Sequence, residues 1–237
     1  MSATQNKIQE LFNKVLQRTV NPRWPGGFGD SDHHLMTMFS IAIQMRSKKI
    51  LELGVRDGTT TEPLLCASAM LNGHLTSVDI ENPPSWKVPK ELQKFHSFIK
   101  SDAIEFLEKE VSKKTKNPLG IPTYPYYDIV YIDDWHSYEH VKKELELIDK
   151  LTNKSSIIML HDLMVERYAD GICYNAPGEY YNCVDSEGEF GHGGPTRAVL
   201  ELDKNKWEWV TLPINNGLTI LRKIHNNSSL KNIINYI

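Results

Sequence analysis

Ile50-Leu51-Glu52-Leu53-Gly54-Val55-Arg56-Asp57-Gly58 is the segment on which the fold of this chain turns. An apolar strand over 48–55 runs into Gly54, the chain turns on two glycines, and a helix follows over 59–71. Glycine at such a turn lets the backbone come close to a neighbour or a ligand. The first turn of the helix offers N–H groups with no partner of their own. A second strand, Leu75-Thr76-Ser77-Val78-Asp79-Ile80, places Asp79 twenty-five residues after Gly54. A carboxylate at that strand end can accept hydrogen bonds from both hydroxyls of a ribose, so turn and acid together read as a nucleoside site. For the turn alone the plainer reading stays open, a glycine turn that only joins strand to helix. A pyrophosphate-binding GxGxxG turn is disfavoured, because the three residues between Gly54 and Gly58 include no glycine.

Outward from this turn the chain alternates strand and helix. Ile8, Leu11, Phe12, Val15 and Leu16 recur at helical spacing and predict a helix over 4–18. A Pro/Gly/Asp-rich loop follows, and Asp30 or Ser31 is placed to cap a helix carrying Leu35, Met38, Phe39, Ala42 and Ile43. Beyond the second strand, the spacing predicts a weak strand over 96–100 and a helix over 102–112. A buried strand over 127–133, a helix over 137–151 and a buried strand over 155–162 come next. Nearly continuous apolar strands between helices indicate a parallel sheet covered on both faces. The end differs: a helix over 195–203 precedes two strands flanking Ile214-Asn215-Asn216-Gly217, which read as an antiparallel hairpin. The expected fold class is therefore α/β, a Rossmann-like doubly wound sheet, mostly parallel, with a C-terminal β-hairpin. Residues 1–47 read as an N-terminal helical segment and loop, and 48–237 as the ligand-binding domain. Two long irregular stretches remain, 113–126 and 163–194. The second, rich in Tyr, follows a strand end where open α/β sheets bind ligands, and reads as a lid.

A second group of residues carries chemistry. Asp133 and Asp134 end one strand, and His161 and Asp162 end the next. Adjacent parallel strands bring these ends side by side, where two carboxylates and an imidazole can hold one divalent cation. The alternative is that Asp133 binds only an amino group and Asp162 caps a loop. His136, three residues after Asp133, is either a local helix-start residue or a general base, a role that suits an imidazole with its ordinary pKa of about 6.5.

The successive segments ELGVRDG, SVDIE, KSDAIEF and YIDDWHSYEHV resemble the motifs of class I S-adenosylmethionine (SAM)-dependent methyltransferases over residues 34–162. The resemblance implies the seven-stranded architecture of that class. It implies that Glu52, Gly54 and Gly58 shape the pocket for the methionine part of SAM, and that Asp79 holds the ribose. Ser101, Asp102 and Ala103 would lie beside the adenine, although Asp102 reads equally as the N-cap of the helix that follows. Within the class, the chain is similar to the metal-dependent O-methyltransferases of the catechol type and those acting on macrolide sugars. That similarity implies Asp133, His161 and Asp162 as ligands of Mg²⁺ or another divalent cation, Asp133 also at the cofactor, and His136 as the base. The chain departs from the pattern at His161, where many members have a carboxylate. The expected reaction is O-methylation of a small hydroxylated acceptor such as a sugar or glycosylated metabolite. A metal-free methyltransferase acting on nitrogen or a macromolecule, and a non-catalytic SAM-fold binding protein, are the alternatives.

Composition narrows the partners. The chain has 237 residues, 24% of them charged, with a formal net charge of -3, so no electrostatic case exists for nucleic acid or a membrane surface. The expected partner is a small-molecule acceptor, and homo-oligomer formation stays open. Cys66, Cys173 and Cys183 form no CxxC pair and no disulfide framework, which fits reduced thiols in a cytoplasmic protein.

Overall fold

The computed structural model describes residues 2–23, 29–83, 87–163 and 194–224. The N-terminal helix α1 (Ala3–Val20) opens with a capping box: the Ser2 hydroxyl accepts from Gln5 N–H and the Gln5 side chain accepts from Ser2 N–H. A 3₁₀ turn over Asp30–His34 runs straight into α2 (Leu35–Gln44). Neither Asp30 nor Ser31 caps that helix, contrary to the sequence expectation, because both lie inside the preceding turn, which has no side-chain cap. The central elements then alternate as β1 (Lys49–Leu53), α3 (Thr61–Leu71), β2 (His74–Asp79), β3 (His96–Lys100) and α4 (Ala103–Ser112). The stretch 113–126, expected to be irregular, contains a two-residue ribbon of β4 (Thr115–Lys116) and β5 (Pro122–Thr123). Its turn is built by Asn117, whose side-chain oxygen accepts from the N–H groups of Leu119 and Ile121, with Gly120 at φ +75°. Then come β6 (Ile129–Ile132), α5 (Tyr138–Leu151), β7 (Ile157–His161), α6 (Gly194–Leu200), β8 (Trp207–Leu212) and β9 (Leu218–Lys223).

The main sheet has seven strands in the order β3-β2-β1-β6-β7-β9-β8. The first five are parallel, and the terminal hairpin pairs antiparallel, β9 lying against β7. Strand order reverses between β1 and β6, which is where open α/β sheets bind ligands beyond the strand C-termini. Side-chain alternation sorts the core into two layers. Leu51, Leu53, Val130, Ile132, Ile158 and Leu160 face α4 and α5. Ile50, Ile129, Tyr131 and Met159 face the other layer, to which α1, α2 and α3 bring Leu11, Met38, Phe39 and Leu65. Two part-buried ion pairs tie this layer together: the buried Glu62 on α3 receives both Lys14 and Arg18 from α1. No helix among the described residues is long and apolar enough to cross a membrane.

Candidate active site

Gly54 follows β1 with φ +83°, and a Cβ at this position would run into the Asp133 carbonyl at the end of β6. The glycine is thus demanded by the neighbouring strand, whatever it offers a ligand. Asp79, at the end of β2, is held by the loop it was expected to serve. Its Oδ2 accepts from Val55 N–H (2.7 Å) and Arg56 N–H (2.9 Å), and its Oδ1 accepts from Glu81 N–H (2.8 Å). A carboxylate has about four lone-pair sites, so acceptor capacity remains toward the cleft that Asp79 lines.

Glu52 sits behind this wall rather than in it. It is fully buried and accepts from the hydroxyls of Thr60 (2.7 Å), Thr61 (2.9 Å) and Ser77 (2.5 Å). Burial pushes its carboxyl up to about 7, against the pull of those hydroxyls. It therefore braces the turn and α3 against β2. Gly58 closes the turn, its N–H donating to the Val55 carbonyl (2.8 Å), and does not line the cleft. Asp102 caps α4 by accepting from Glu105 N–H (3.0 Å), and with Ser101 and Ala103 it also lines the cleft.

The second cluster forms where β6 and β7 end. His136 Nε2 lies between two carboxylates, 3.0 Å from Asp162 Oδ2 and 3.3 Å from Asp133 Oδ1. The Tyr131 hydroxyl donates to Asp133 Oδ2 (2.8 Å). His161 is buried, with Nδ1 2.9 Å from Asp162 Oδ1 and 3.5 Å from Asp133 Oδ1. Neither of its ring nitrogens makes a hydrogen bond with acceptable geometry, and Asp162 Oδ1 is likewise without one. Burial opposes ionisation of Asp133 and Asp162, yet His161 and His136 outweigh it and hold both carboxyls well below their ordinary range. Burial lowers the tendency of His161 to protonate, and Asp162 and Asp133 reverse this and hold it well above the ordinary imidazole range.

The donors therefore group differently from the sequence expectation of Asp133, His161 and Asp162. Around Asp162, donor atoms close enough to share one ion come as two sets among the described residues, Asp133 with His136 and Asp162, and Asp30 with His161 and Asp162. Asp30 is the residue that sequence reasoning missed as a site residue. It arrives through the 3₁₀ turn, whose Asp32 is salt-bridged to Arg23, while Arg23 Nη2 also donates to Thr59 (2.7 Å) on the glycine-turn side. The Asn215 side chain donates to the Asp30 carbonyl (2.9 Å), fastening the turn to the β8–β9 hairpin. The run Asp30-Ser31-Asp32-His33-His34 was the available signal, two acids and two imidazoles in five residues.

These parts surround one cleft of about 710 Å³, within the usual range for small-molecule sites. Its lining includes Asp30, Asp57, Asp79, Glu81, Asp102, Asp133, Asp134 and Asp162, with Arg56 the only Lys or Arg among the described lining residues. Such a cleft selects for a cationic ligand. Residues 51–163 match the family model described as a methyltransferase domain. That stretch, just under half of the chain, is similar to a methyltransferase domain.

Solved structures share the class I methyltransferase fold over nearly the whole chain. The O-methyltransferase TomG from Streptomyces achromogenes, involved in tomaymycin synthesis and solved with SAM, aligns with a TM-score of 0.59 at 13% identity, covering 91% of this chain and 90% of that one. An O-methyltransferase from Bacillus cereus, solved with S-adenosylhomocysteine (SAH), gives 0.57 at 14% identity with 91% of each chain covered. MycE, a methyltransferase of the mycinamycin pathway solved with Mg, SAH and mycinamycin VI, gives 0.57 at 14% identity, covering 91% of this chain and 55% of that one. At these identities the likeness is one of fold. No curated protein matches the chain by sequence.

Trp135 lines the cleft and is 48% exposed. Between Leu163 and Gly194 the chain lies outside the described residues. The expected lid lies there, with Tyr174, Tyr180, Tyr181, His192, Cys173 and Cys183. Cys66 is buried, and burial pushes its thiol up to about 12, which makes it inert.

Proposed function

We propose that this protein transfers the methyl group of SAM to a hydroxyl oxygen of a small acceptor, such as a sugar or glycosylated metabolite. The observation that carries the reading is the His136–Asp133–Asp162 cluster on the wall of an acidic cleft at the β1/β6 switch point. The acidic lining favours the sulfonium and ammonium charges of SAM. Asp79, at the ribose end, and Ser101, Asp102 and Ala103, at the adenine end, supply polar and close-packed walls for the nucleoside. In the reaction the acceptor oxygen bonds to the methyl carbon as the carbon–sulfur bond breaks, its electron pair returning to sulfur to give SAH. The hydroxyl proton passes to the His136 imidazole, and Asp133 and Asp162 stabilise the imidazolium. The main contribution of the fold is alignment of oxygen, carbon and sulfur.

The donor set also fits a divalent cation. Asp30, Asp133 and Asp162 surround buried ring nitrogens of His161 that lack hydrogen bonds. Mg²⁺ would use the carboxylates, and a borderline ion such as Mn²⁺ would accept the imidazole as well. Such an ion lowers the pKa of a bound hydroxyl and fixes its position.

The test is transfer of labelled methyl from SAM to a panel of hydroxylated sugars, with product mapping by mass spectrometry. Label on a hydroxyl oxygen is expected, with turnover lost after chelation and restored by Mg²⁺ or Mn²⁺. Full turnover in excess EDTA would reject the metal. Label on nitrogen or on a macromolecule alone would reject the acceptor class.

A further inference from the structure

Asp133 and its neighbour Asp134 serve different clusters. Asp134 points to α5, where His140 and Glu144 stand one turn apart on the same helix face. His140 Nε2 lies 3.1 Å from Asp134 Oδ2 and 3.8 Å from Glu144 Oε1. Donor atoms of all three lie within 4.8 Å of one another. Glu144 is fully buried, and neither of its carboxylate oxygens has a hydrogen-bond partner; Asp134 Oδ1 also has none. A buried carboxylate left so is costly unless a proton or a cation neutralises it.

We propose that Asp134, His140 and Glu144 form a second metal site, for Zn²⁺ or a similar borderline divalent cation, distinct from the Asp133–Asp162 cluster. Ligands about 2.0–2.2 Å from a tetrahedral ion stand roughly 3.4 Å apart, and the two separations from His140 bracket that spacing. One imidazole with two carboxylates is a donor set that such ions accept. The ion supplies the positive charge that Glu144 otherwise lacks. It joins α5 to the loop after β6, on the side of the cleft that Asp134 and His140 line. The fourth coordination position is left for water or a ligand from the cleft. The competing arrangement is a proton shared between Asp134 and Glu144. Burial, with Asp134 adding to it, does hold the Glu144 carboxyl well above its ordinary range when no ion is present.

The experiment separates the two arrangements and the two clusters. Metal-free wild type, Glu144→Gln, His140→Ala and Asp162→Asn are titrated with Zn²⁺ by calorimetry, and their thermal unfolding is followed with and without Zn²⁺. Glu144→Gln and His140→Ala should each lose one Zn²⁺ equivalent, or bind it about 100-fold or more weakly, while Asp162→Asn retains it. Co²⁺ in place of Zn²⁺ should give a visible absorption band that Glu144→Gln lacks. Glu144→Gln keeps the side chain's shape, so it stays folded when His140→Ala does not. Equal Zn²⁺ stoichiometry and affinity in wild type and Glu144→Gln would overturn the site. So would a failure of Asp162→Asn to bind Zn²⁺, which is the outcome the shared proton requires once the Asp133–Asp162 cluster is disabled.

Discussion

The two halves of the strand edge treat their acids in opposite ways. On the β1–β2 side, three carboxylates are answered by the fold: Asp79 by three backbone N–H groups, Asp102 by the start of α4, and Glu52 by three hydroxyls. On the β6–β7 side, Asp133 and Asp162 are answered mainly by histidines, and His161 and Asp162 keep buried atoms without hydrogen bonds. The first arrangement makes a rigid wall. The second stores unsatisfied polarity where a substrate or ion can use it, as sites of reaction commonly do. Function can therefore be localised by asking which buried acids the backbone has not already satisfied.

The sharpest test of that contrast is His136→Ala. A positioned base supplies about 10²–10⁴ in rate, so kcat for the true acceptor should fall by that factor while SAM affinity stays near wild type. If kcat survives, the β6–β7 cluster is structural and the contrast between the halves fails.

Glu52→Gln probes the satisfied half. Burial raises the folded-state pKa of Glu52 to about 7, so between its ordinary range and about 7 the folded protein holds a proton that the unfolded chain has lost. That favours folding at low pH, and the advantage disappears as pH rises through about 7. Gln keeps the acceptor and cannot ionise. Wild type should accordingly lose about 3 kcal/mol relative to Glu52→Gln between pH 4.5 and pH 8, read by urea unfolding at each pH. An unchanged difference across that range would mean that Glu52 titrates normally. Asp133 and Asp162 have depressed values and act in the opposite sense, contributing stability that is lost as pH falls.

Asp79→Ala gives the smallest expected effect. The loss of charge-assisted hydrogen bonds should weaken SAM binding by roughly 1.5–3 kcal/mol, about ten-fold or more. Because Asp79 also holds Val55 and Arg56 N–H, stability should fall with affinity. Calorimetry showing unchanged SAM affinity in a destabilised variant would assign Asp79 to the loop alone.

Much of this was legible locally. The order of strands and helices, the C-terminal hairpin at Asn215–Gly217, the Asp102 cap and the special backbone at Gly54 follow from apolar periodicity and from glycine and side-chain chemistry over a few residues. So did the resemblance to class I methyltransferases, carried by short motifs at strand ends. Tertiary structure alone decided how the acids are used. Asp30 joins His161 and Asp162, more than a hundred residues later in the chain, because Arg23, Asp32 and Asn215 fasten its turn there. Asp133 and Asp134 are adjacent in sequence yet enter different clusters, because one carboxylate meets β7 and the other meets α5. Glu52 becomes a buried brace because its side chain meets hydroxyls from α3 and β2. The physical reason is the same in each case. Local chemistry sets which conformation a segment adopts, whereas the partner of a buried charge is set by packing between segments distant in the chain.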